Sequence, residues 1–435
     1  MDKFVIKGGP ALSGEITAAG NKNAALPILA ACLLTEEELL LSNVPRIRDT
    51  ETQIAVLEGM GVKAQWSGEN ELSLRADGVT DTAPDEALSA RIRASFLLAG
   101  PLLARFGQAR MPPPGGDFIG RRRLDPHLDA FRDMGARVEG EREIVISAPA
   151  GGLKPCGIFM DEPSVMATEN ALMAAALTPG PTTISNAASE PHVQDLARLL
   201  VKMGAQIDGI GSNVVTVHGR DRLGGAEHRI CADHIEVASF MALAAVTGGE
   251  LRIRDAEPAD LITIRRHFRR LGLTSMIEGN DVLVPPDQKL EVRDDIGDAI
   301  PKIDDGPWPA FPADLTSIAL ALATQARGTI LIFEKMFENR LFFVDKFVAM
   351  GARITLCDPH RAIVSGPSRL HGERVESPDI RAGMAMLIAA LCADGVSEIG
   401  NVVQIDRGYE RIDTRLRDLG ARIERVETEP RPVPA

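Results

Sequence analysis

The sequence has few of the residues that mark specialised classes of protein. Its five cysteines and eight histidines show no metal-ligand spacing, so we expect reduced thiols and no metal. No apolar run approaches the roughly 18 residues that cross a bilayer, so no membrane partner is expected. The two tryptophans and the single tyrosine are expected to pack in cores or beside a cleft, so they give no reason to predict a cofactor. A net charge of −13 argues against a general nucleic-acid binder. Basic clusters stand out against this acidic background and suggest local recognition of a small anion, and the reduced thiols suggest a cytoplasmic protein.

An internal repeat is the most informative feature that the sequence does contain. A hydrophobic residue, a glycine and a short strand recur in "MGVKA", "MGARV", "MGAQI", "LGLTS", "MGARI" and "LGARI". The glycines are Gly61, Gly135, Gly204, Gly272, Gly351 and Gly420. Each follows a helical pattern such as "LDAFRDMG", which predicts a left-handed helix cap leading into a strand.

Six apolar, alanine-rich helices recur in the same rhythm. They are "NKNAALPILAACLL", "RIRASFLLAGPLLARFG", "SVMATENALMAAALTPG", "HIEVASFMALAAVTGG", "DLTSIALALATQARG" and "DIRAGMAMLIAALCADG". Helices this uniformly apolar are buried on most sides. We predict an α/β fold of two domains, each of three repeated units with buried helices and outward-facing sheets, and a hinge near residue 230. The repeats alone leave open a six-unit solenoid that binds a partner protein.

Cations stand at the starts of several buried helices. Lys22, Arg93 and Arg381 occupy equivalent places in different repeats. A cation is mildly disfavoured at a helix N-terminus, where anions are favoured. The repetition therefore predicts a convergent anion site, for which Arg340 and Arg407 are further candidates.

The stretch "PPPGGDFIGRRRLDPH", residues 112–127, raises a separate question. It sets Asp117 on a loop rich in proline and glycine, directly before three arginines. A solvated turn explains the prolines and glycines. It does not explain so many charges within seven residues of an acidic protein.

Six motifs then match one family. "GNKNAALPILAA", "GGDFIGRRRLD", "WPAFPADL", "MFENR", "PDIRA" and "IDRGYERI" resemble the UDP-N-acetylglucosamine enolpyruvyl transferase (1-carboxyvinyltransferase) family, from Met1 to about Val426. The resemblance implies the enolpyruvyl transferase fold, a pair of inside-out α/β barrels. It implies a first domain of residues 1–21 and 231–435, and a second of 22–230 that carries a mobile loop, 111–123. The active site would lie in the interdomain cleft.

The resemblance also implies the reaction. The enolpyruvyl group of phosphoenolpyruvate moves to the 3-hydroxyl of UDP-N-acetylglucosamine with release of phosphate, the first committed step of peptidoglycan synthesis. By motif position, the catalytic residues are Lys22, Asp117, Asp314 and Arg407. Phosphoenolpyruvate would be bound by Lys22, Asn23, Arg122, Arg340, Arg381 and Arg407. The nucleotide-sugar would be bound by Asn23, Arg93, Arg122, Arg123, Leu124, Asp125, Ser164, Val165, Asp314 and Met336.

Asp117 occupies the position of the family's general acid, where most members have cysteine. An isolated aspartic acid is almost fully ionised at neutral pH. We therefore expect Asp117 to take up its proton when a trianionic substrate consumes the arginine charges and water is excluded. A carboxylate is a far poorer nucleophile than a thiolate, so insensitivity to fosfomycin is expected.

Several acceptor-side positions depart from the family pattern: Arg123, Pro126, Met166, His234 and Gln404. The donor-side residues are all present. Two alternatives to the cell-wall reaction therefore remain open at this point. The first is enolpyruvyl transfer to another nucleotide or sugar in specialised metabolism. The second is a catalytically silent homologue that binds nucleotide-sugar. The oligomeric state is not predicted.

Overall fold

The structure is a computed structural model that describes residues 2–427, and these residues form an α/β fold. The described strands are β1 (Lys3–Lys7), β2 (Gly14–Thr17), β3 (Leu39–Ser42), β4 (Lys63–Trp66), β5 (Leu72–Arg75), β6 (Gln108–Met111), β7 (Arg137–Glu139), β8 (Ile144–Ser147), β9 (Gly157–Phe159), β10 (Gly180–Ser185), β11 (Gln206–Asp208), β12 (Val214–Gly219), β13 (Ala226–Arg229), β14 (Leu251–Arg254), β15 (Met276–Glu278), β16 (Asp281–Val284), β17 (Lys302–Asp304), β18 (Gly328–Phe333), β19 (Ile354–Asp358), β20 (Arg361–Gly366), β21 (Arg374–Glu376), β22 (Val396–Gly400) and β23 (Arg422–Val426).

The described α-helices alternate with these strands. They are α1 (Lys22–Ala31), α2 (Arg48–Gly59), α3 (Glu86–Ser89), α4 (Ala99–Phe106), α5 (Asp125–Asp133), α6 (Val165–Ala176), α7 (Pro191–Lys202), α8 (His234–Thr247), α9 (Ile262–Phe268), α10 (Thr316–Ala323), α11 (Val344–Ala349), α12 (Ile380–Cys392) and α13 (Ile412–Asp418). Short 3₁₀ segments cover Cys32–Leu34, Arg93–Leu98, Pro258–Leu261, Arg269–Leu271, Ala313–Leu315 and Val402–Arg407. No helix within residues 2–427 is long and apolar enough to cross a membrane.

The chain divides into two compact units. Unit 1 contains the described residues up to Ala19, the segment Phe118–Arg121, and the residues from Ala232 onward. Unit 2 contains Gly20–Asp117 and Arg122–Cys231. Each unit has its own continuous hydrophobic core.

Unit 1 contains three four-stranded sheets with one shared plan. Their strand orders are β21-β22-β1-β23, β15-β16-β14-β2 and β17-β18-β20-β19. Each sheet has one parallel edge pair and two antiparallel pairs. In the first sheet, β1 lies between the two last strands of the described chain, with Phe4 opposite both Ile399 and Arg425.

Unit 2 repeats the same plan. Its sheets are β11-β12-β10-β9 and β13-β3-β5-β4, together with a three-stranded sheet, β6-β8-β7. The four-stranded sheets again have one parallel and two antiparallel pairs, whereas the described part of the third has antiparallel pairs alone. The six sheets correspond to the six repeats that the sequence predicted.

The apolar helices lie inside each unit. Helices α8, α10 and α12 pack against one another in unit 1, and α6 packs against α1 and α4 in unit 2. The sheets cover these helices with one face: along β20, Ala362, Val364 and Gly366 are buried while the residues between them are more exposed. The predicted inside-out arrangement is therefore confirmed. One difference is that the second apolar segment begins as 3₁₀ helix, Arg93–Leu98, and becomes α-helical at Ala99.

All six repeated glycines have positive φ, between +85° and +113°. L side chains rarely adopt this conformation, so glycine is favoured at the point where each helix turns into its strand. The predicted helix caps are confirmed.

The loop after β6 differs from its predicted assignment. Residues 111–123 were predicted as part of the second domain, whereas Phe118–Arg121 clusters with unit 1. The reason is local packing, because the tip of this loop hydrogen-bonds to residues of unit 1.

Candidate active site

In unit 1, three of the predicted site residues meet at the Asp314 carboxylate. Its Oδ1 accepts a hydrogen bond from Nη2 of Arg340 at 2.5 Å, and its Oδ2 accepts one from Nε of Arg381 at 3.1 Å. The second oxygen also lies 3.0 Å from Nη2 of Arg381, so that guanidinium presents two nitrogens to it. Such charge-assisted contacts are among the strongest hydrogen bonds in proteins. The result is an arginine–aspartate–arginine cluster.

Both arginines of this cluster are almost wholly buried. Arg340 is 4% exposed and Arg381 is 3% exposed. Burial is the largest influence and acts against their charged forms, but the neighbouring groups, of which the Asp314 carboxylate contributes most, together outweigh it and raise the pKa of both guanidinium groups. The hydroxyl of Tyr409 also lies 3.3 Å from Nη1 of Arg381. Two positive charges are thus held ready for an anionic ligand.

The start of α12 explains how Arg381 is fixed. Asp379 caps this helix, and its Oδ1 accepts hydrogen bonds from the backbone nitrogens of Arg381 and Ala382 at 2.8 and 2.9 Å. The cap satisfies the free amides of the first turn. The helix dipole disfavours a cation at this end of α12, and the Arg381 side chain is stabilised instead by its hydrogen bond to Asp314.

The remaining predicted residues of unit 1 have separate partners. Nη1 of Arg407 donates to Oε1 of Gln404 at 2.8 Å. Met336 is exposed, and its backbone nitrogen donates to Asp305. His234 is buried beside Trp308, and burial followed by the charge of Arg381 lowers the pKa of its imidazole to about 4. His234 therefore carries no positive charge at neutral pH.

In unit 2, Lys22 and Asn23 lie in the first turn of α1. Asn21 caps this helix, accepting hydrogen bonds from the backbone nitrogens of Asn23 and Ala24 at 2.8 and 3.1 Å. Nζ of Lys22 lies 2.9 Å from Oδ2 of Asp49, which is itself buried. The lysine is thereby held as a buried cation at a helix start.

Arg93, Arg122 and the residue before Asp117 are brought together in the same unit. Nη2 of Arg93 donates to the backbone oxygen of Arg122 at 2.6 Å. A Cβ at Gly116 would lie 2.8 Å from Cβ of Arg93 and 3.5 Å from Nη1 of Arg122. Burial, and then the charge of Arg122, lower the pKa of Arg93 to about 10. Asp117 is half-buried at this point of the chain. The sequence therefore places glycine where the backbone approaches two arginines.

Arg123 is engaged by acids. Its Nε lies 3.3 Å from Asp125, and its Nη1 lies 2.8 Å from Asp161 and 3.8 Å from Glu162. Leu124 immediately precedes α5, which starts at Asp125. These ion pairs join the loop before α5 to the loop before α6.

The N-terminus of α6 carries the other predicted residues of unit 2. Ser164 caps the helix by accepting from the backbone nitrogen of Ala167 at 3.4 Å, and Val165 is the first helical residue. Met166 is half-buried. The buried His127 accepts a hydrogen bond at Nδ1 from Asn170 at 2.9 Å, and burial followed by Arg93 lowers the pKa of its imidazole to about 3.

The loop tip Phe118–Arg121 packs on the segment before α11. Oε2 of Glu338 accepts a hydrogen bond from the backbone nitrogen of Arg121 at 3.1 Å, and the backbone nitrogen of Asn339 donates to the oxygen of Ile119 at 3.0 Å. A Cβ at Gly120 would lie 2.2 Å from the Glu338 carboxylate. The Glu338 backbone nitrogen would also lie 3.0 Å from that Cβ, and φ of Gly120 is +142°, so glycine is favoured at this close approach.

No group of histidine, cysteine and acidic side chains suited to a metal occurs within residues 2–427. A family model described as EPSP synthase (3-phosphoshikimate 1-carboxyvinyltransferase) matches residues 6–416. A protein of Bradyrhizobium diazoefficiens named UDP-N-acetylglucosamine 1-carboxyvinyltransferase is 56% identical over 424 residues, which covers 98% of each chain. The chain belongs to the UDP-N-acetylglucosamine 1-carboxyvinyltransferase family. The family that the six motifs indicated is confirmed.

Further comparisons agree with this membership of the transferase family. A protein of the same name from Treponema denticola is 54% identical over 427 residues, covering 98% of this chain and all of the relative. The enolpyruvyl transferase NikO from Streptomyces tendae is 24% identical and aligns over 98% of this chain and 99% of its own, with a TM-score of 0.88. EPSP synthase from Acinetobacter baumannii aligns with a TM-score of 0.75 at 18% identity, over 98% of this chain and 100% of its own. These two structural likenesses establish the fold.

The family motifs did not reveal every residue that supports the site. Asp49 was missed because an acid in the first turn of a helix such as α2 has an ordinary explanation as a partner of the helix dipole. Tyr409 was expected in a core or beside a cleft and is indeed buried, but its contact through the hydroxyl with Arg381 was not predicted. Its place in "IDRGYERI", two residues after Arg407, is the signal that indicated a functional neighbourhood.

Proposed function

We propose that the protein transfers the enolpyruvyl group of phosphoenolpyruvate to the 3-hydroxyl of UDP-N-acetylglucosamine and releases phosphate, in peptidoglycan synthesis. The observation that carries this proposal is the identity of 46–56% over nearly the full chain to proteins named for this activity. The cluster of Arg340, Asp314 and Arg381 supports it with a charge arrangement suited to an anionic substrate.

Arginine suits both ends of phosphoenolpyruvate, because its planar fork pairs two oxygens at once. In the proposal, Arg340 and Arg381 bind the carboxylate. Lys22, Arg122 and Arg407 bind the phosphate, beside Asn23. Their origin in both units accords with the predicted interdomain active site, which stays a prediction.

Asp314 is proposed to act as the base for the attacking hydroxyl, or to orient it. Its carboxylate is engaged by two guanidinium groups in the structure. A substrate carboxylate that binds the same arginines would compete with Asp314 for them. Substrate binding would thereby release the Asp314 oxygens towards the acceptor hydroxyl.

Asp117 is proposed as the general acid that protonates the methylene carbon of phosphoenolpyruvate. It follows Gly116, whose backbone lies against Arg93 and Arg122. Occupation of Arg122 by phosphate would remove positive charge near Asp117 and favour its protonated form. The tip that follows, Phe118–Arg121, packs on Glu338 and Asn339.

The nucleotide-sugar is proposed to bind the residues that the family positions imply: Asn23, Arg93, Arg122, Arg123, Leu124, Asp125, Ser164, Val165, Asp314 and Met336. Of these, Arg123 is paired with Asp161 and Asp125. Its contribution is therefore proposed to be the joining of two loops beside the nucleotide, and less a direct phosphate contact.

Phosphate release from phosphoenolpyruvate with a panel of acceptors tests the proposal. We expect release with UDP-N-acetylglucosamine and none with UDP-glucose, shikimate 3-phosphate or buffer alone. Release with another nucleotide-sugar alone would establish the acceptor alternative that Met166, Pro126 and Gln404 left open. No release with any acceptor would establish a silent homologue. A cytoplasmic location, and activity without cofactor or metal, are parts of the same proposal.

A further inference from the structure

A buried carboxyl outside the predicted site lies at the start of the turn that carries Arg340. Glu334 directly follows β18 and has no exposed surface. Its Oε1 accepts a hydrogen bond from the backbone nitrogen of Phe337 at 3.2 Å, which closes the turn. Its Oε2 is buried and has no hydrogen-bond partner among the described residues. An ionised carboxylate with an unsatisfied buried oxygen is costly, so the neutral acid is favoured here.

A second buried acid, Asp305, faces the same turn. It is 1% exposed, one of its oxygens accepts from the backbone nitrogen of Lys335, and the other accepts from that of Met336 at 3.3 Å. Both Asp305 oxygens therefore have donors that suit an anion. Two adjacent buried carboxyls do not ionise together. Burial, and then the charge of Asp305, raise the pKa of Glu334 to about 8.

The other groups around Glu334 do not remove this preference. Arg340 lowers the pKa of Glu334, but its own Nη2 is engaged by Asp314 at 2.5 Å. The Thr316 hydroxyl at the start of α10 is buried and also lowers the pKa of Glu334, but its influence is smaller than those of burial and Asp305. His360 contacts the backbone of Glu334, with Nδ1 lying 2.7 Å from its carbonyl oxygen.

We propose that Glu334 is a positioning residue that stays protonated at neutral pH and holds the turn 334–340 so that Arg340 pairs with Asp314. Ionisation of Glu334 would add an anion beside Asp305 and give Arg340 a second carboxylate partner. The same turn carries Glu338 and Asn339, which contact the loop tip. The predicted effect of Glu334 on substrate binding rests on the proposed function, in which Arg340 binds phosphoenolpyruvate. The proposed protonation state of Glu334 is independent of that function.

The first experiment needs no activity. The pKa of Glu334 is about 8 in the folded protein and 4.5 in the unfolded chain. Between these pH values the folded protein keeps a proton on Glu334 that the unfolded chain has lost. Stability therefore falls as pH rises from about 4.5 to 8. We expect Glu334→Gln to flatten this part of the wild-type unfolding profile. Infrared spectra of the wild type at pH 7 should contain a protonated-carboxyl band that fades above pH 8 and is absent from E334Q. Identical spectra and pH slopes for the two proteins would overturn the proposal.

The second experiment measures kcat/KM for phosphoenolpyruvate against pH. The kcat/KM of E334Q should stay within about twofold of the wild-type value at pH 7. As pH rises further, its alkaline decrease should begin at a higher pH than that of the wild type. E334A should lose about tenfold at all pH values, since Phe337 loses its hydrogen-bond acceptor. The control E424Q changes an exposed acid of β23 and should match the wild type. An E334Q profile that follows the wild type through the alkaline limb would refute the positioning role. An inactive wild type would refute the proposed function and leave the infrared and unfolding tests intact.

Discussion

Oδ1 of Asp314 lies 2.5 Å from Nη2 of Arg340, and its other oxygen binds Arg381. One carboxylate is thus shared by two arginines that have almost no contact with water, and the three side chains together keep one net positive charge. Removing one partner of a buried ion pair leaves an uncompensated charge, which is more costly than the pair is stabilising. The stability of unit 1 therefore depends on which anion is bound to the two guanidinium groups.

Asp314→Asn tests this link. The neutral amide cannot compensate two positive charges, so we expect kcat to fall by about 10²–10⁴. The free energy of unfolding should fall by at most about 3 kcal/mol, because Asp314 is partly exposed and water screens its neighbours. Phosphoenolpyruvate should raise the melting temperature of D314N more than that of the wild type. The control D358N alters an acid paired with Arg361 and should leave kcat unchanged. Wild-type kcat in D314N would exclude the proposed role as base.

Protonation of Asp117 on substrate binding is the second prediction. Titration of phosphoenolpyruvate into the wild type, in buffers of different ionisation enthalpy, should reveal net proton uptake. The matched variant D117N has no carboxyl to protonate, so the Asp117 contribution should disappear while any proton exchange by the substrate itself remains. We expect kcat of D117N to fall by about 10²–10⁴. Equal proton uptake by the two proteins would show that Asp117 is not the group that takes up the proton, and would contradict the prediction.

Fosfomycin provides a third test of the same position. A carboxylate is a poor nucleophile towards this epoxide, whereas a cysteine thiolate reacts readily. After incubation, the wild type should keep its mass, and D117C should gain one fosfomycin. Peptide mapping must place the adduct at position 117, since Cys357 is an exposed native thiol. An adduct on Asp117 in the wild type would contradict the prediction.

The repeats made much of the fold accessible from sequence. Alanine-rich helices can be recognised because burial on all sides removes the polar stripe of a surface helix. The cap glycines, such as Gly61 and Gly204, can be recognised because few other residues adopt positive φ. Both signals are local, and their repetition predicted six similar units, whereas the strand order within each sheet was not predicted.

The contacts of the site were less accessible, because they join elements that are distant in sequence. The motifs named Asp314, Arg340 and Arg381, but gave no sign that one carboxylate contacts both arginines. Glu334 and Asp305 were missed entirely, since a single acid at the end of a strand has no periodicity to mark it. The assignment of Phe118–Arg121 to unit 1 depends on hydrogen bonds to a segment more than 200 residues away.

The cap glycines also allow backbone strain to be separated from steric conflict. Gly61 and Gly204 both lie in unit 2, with φ of +102° and +113°. A Cβ at Gly204 would meet nothing within 4 Å, whereas one at Gly61 would lie 2.4 Å from the backbone oxygen of Gly78. G204A should therefore cost about 1–3 kcal/mol for strain alone, and G61A should cost at least about 1 kcal/mol more because the Gly78 backbone must move. Urea unfolding of the two variants measures the difference. Equal losses would mean that the segment around Gly78 yields freely, and that φ alone determines the requirement for glycine in these caps.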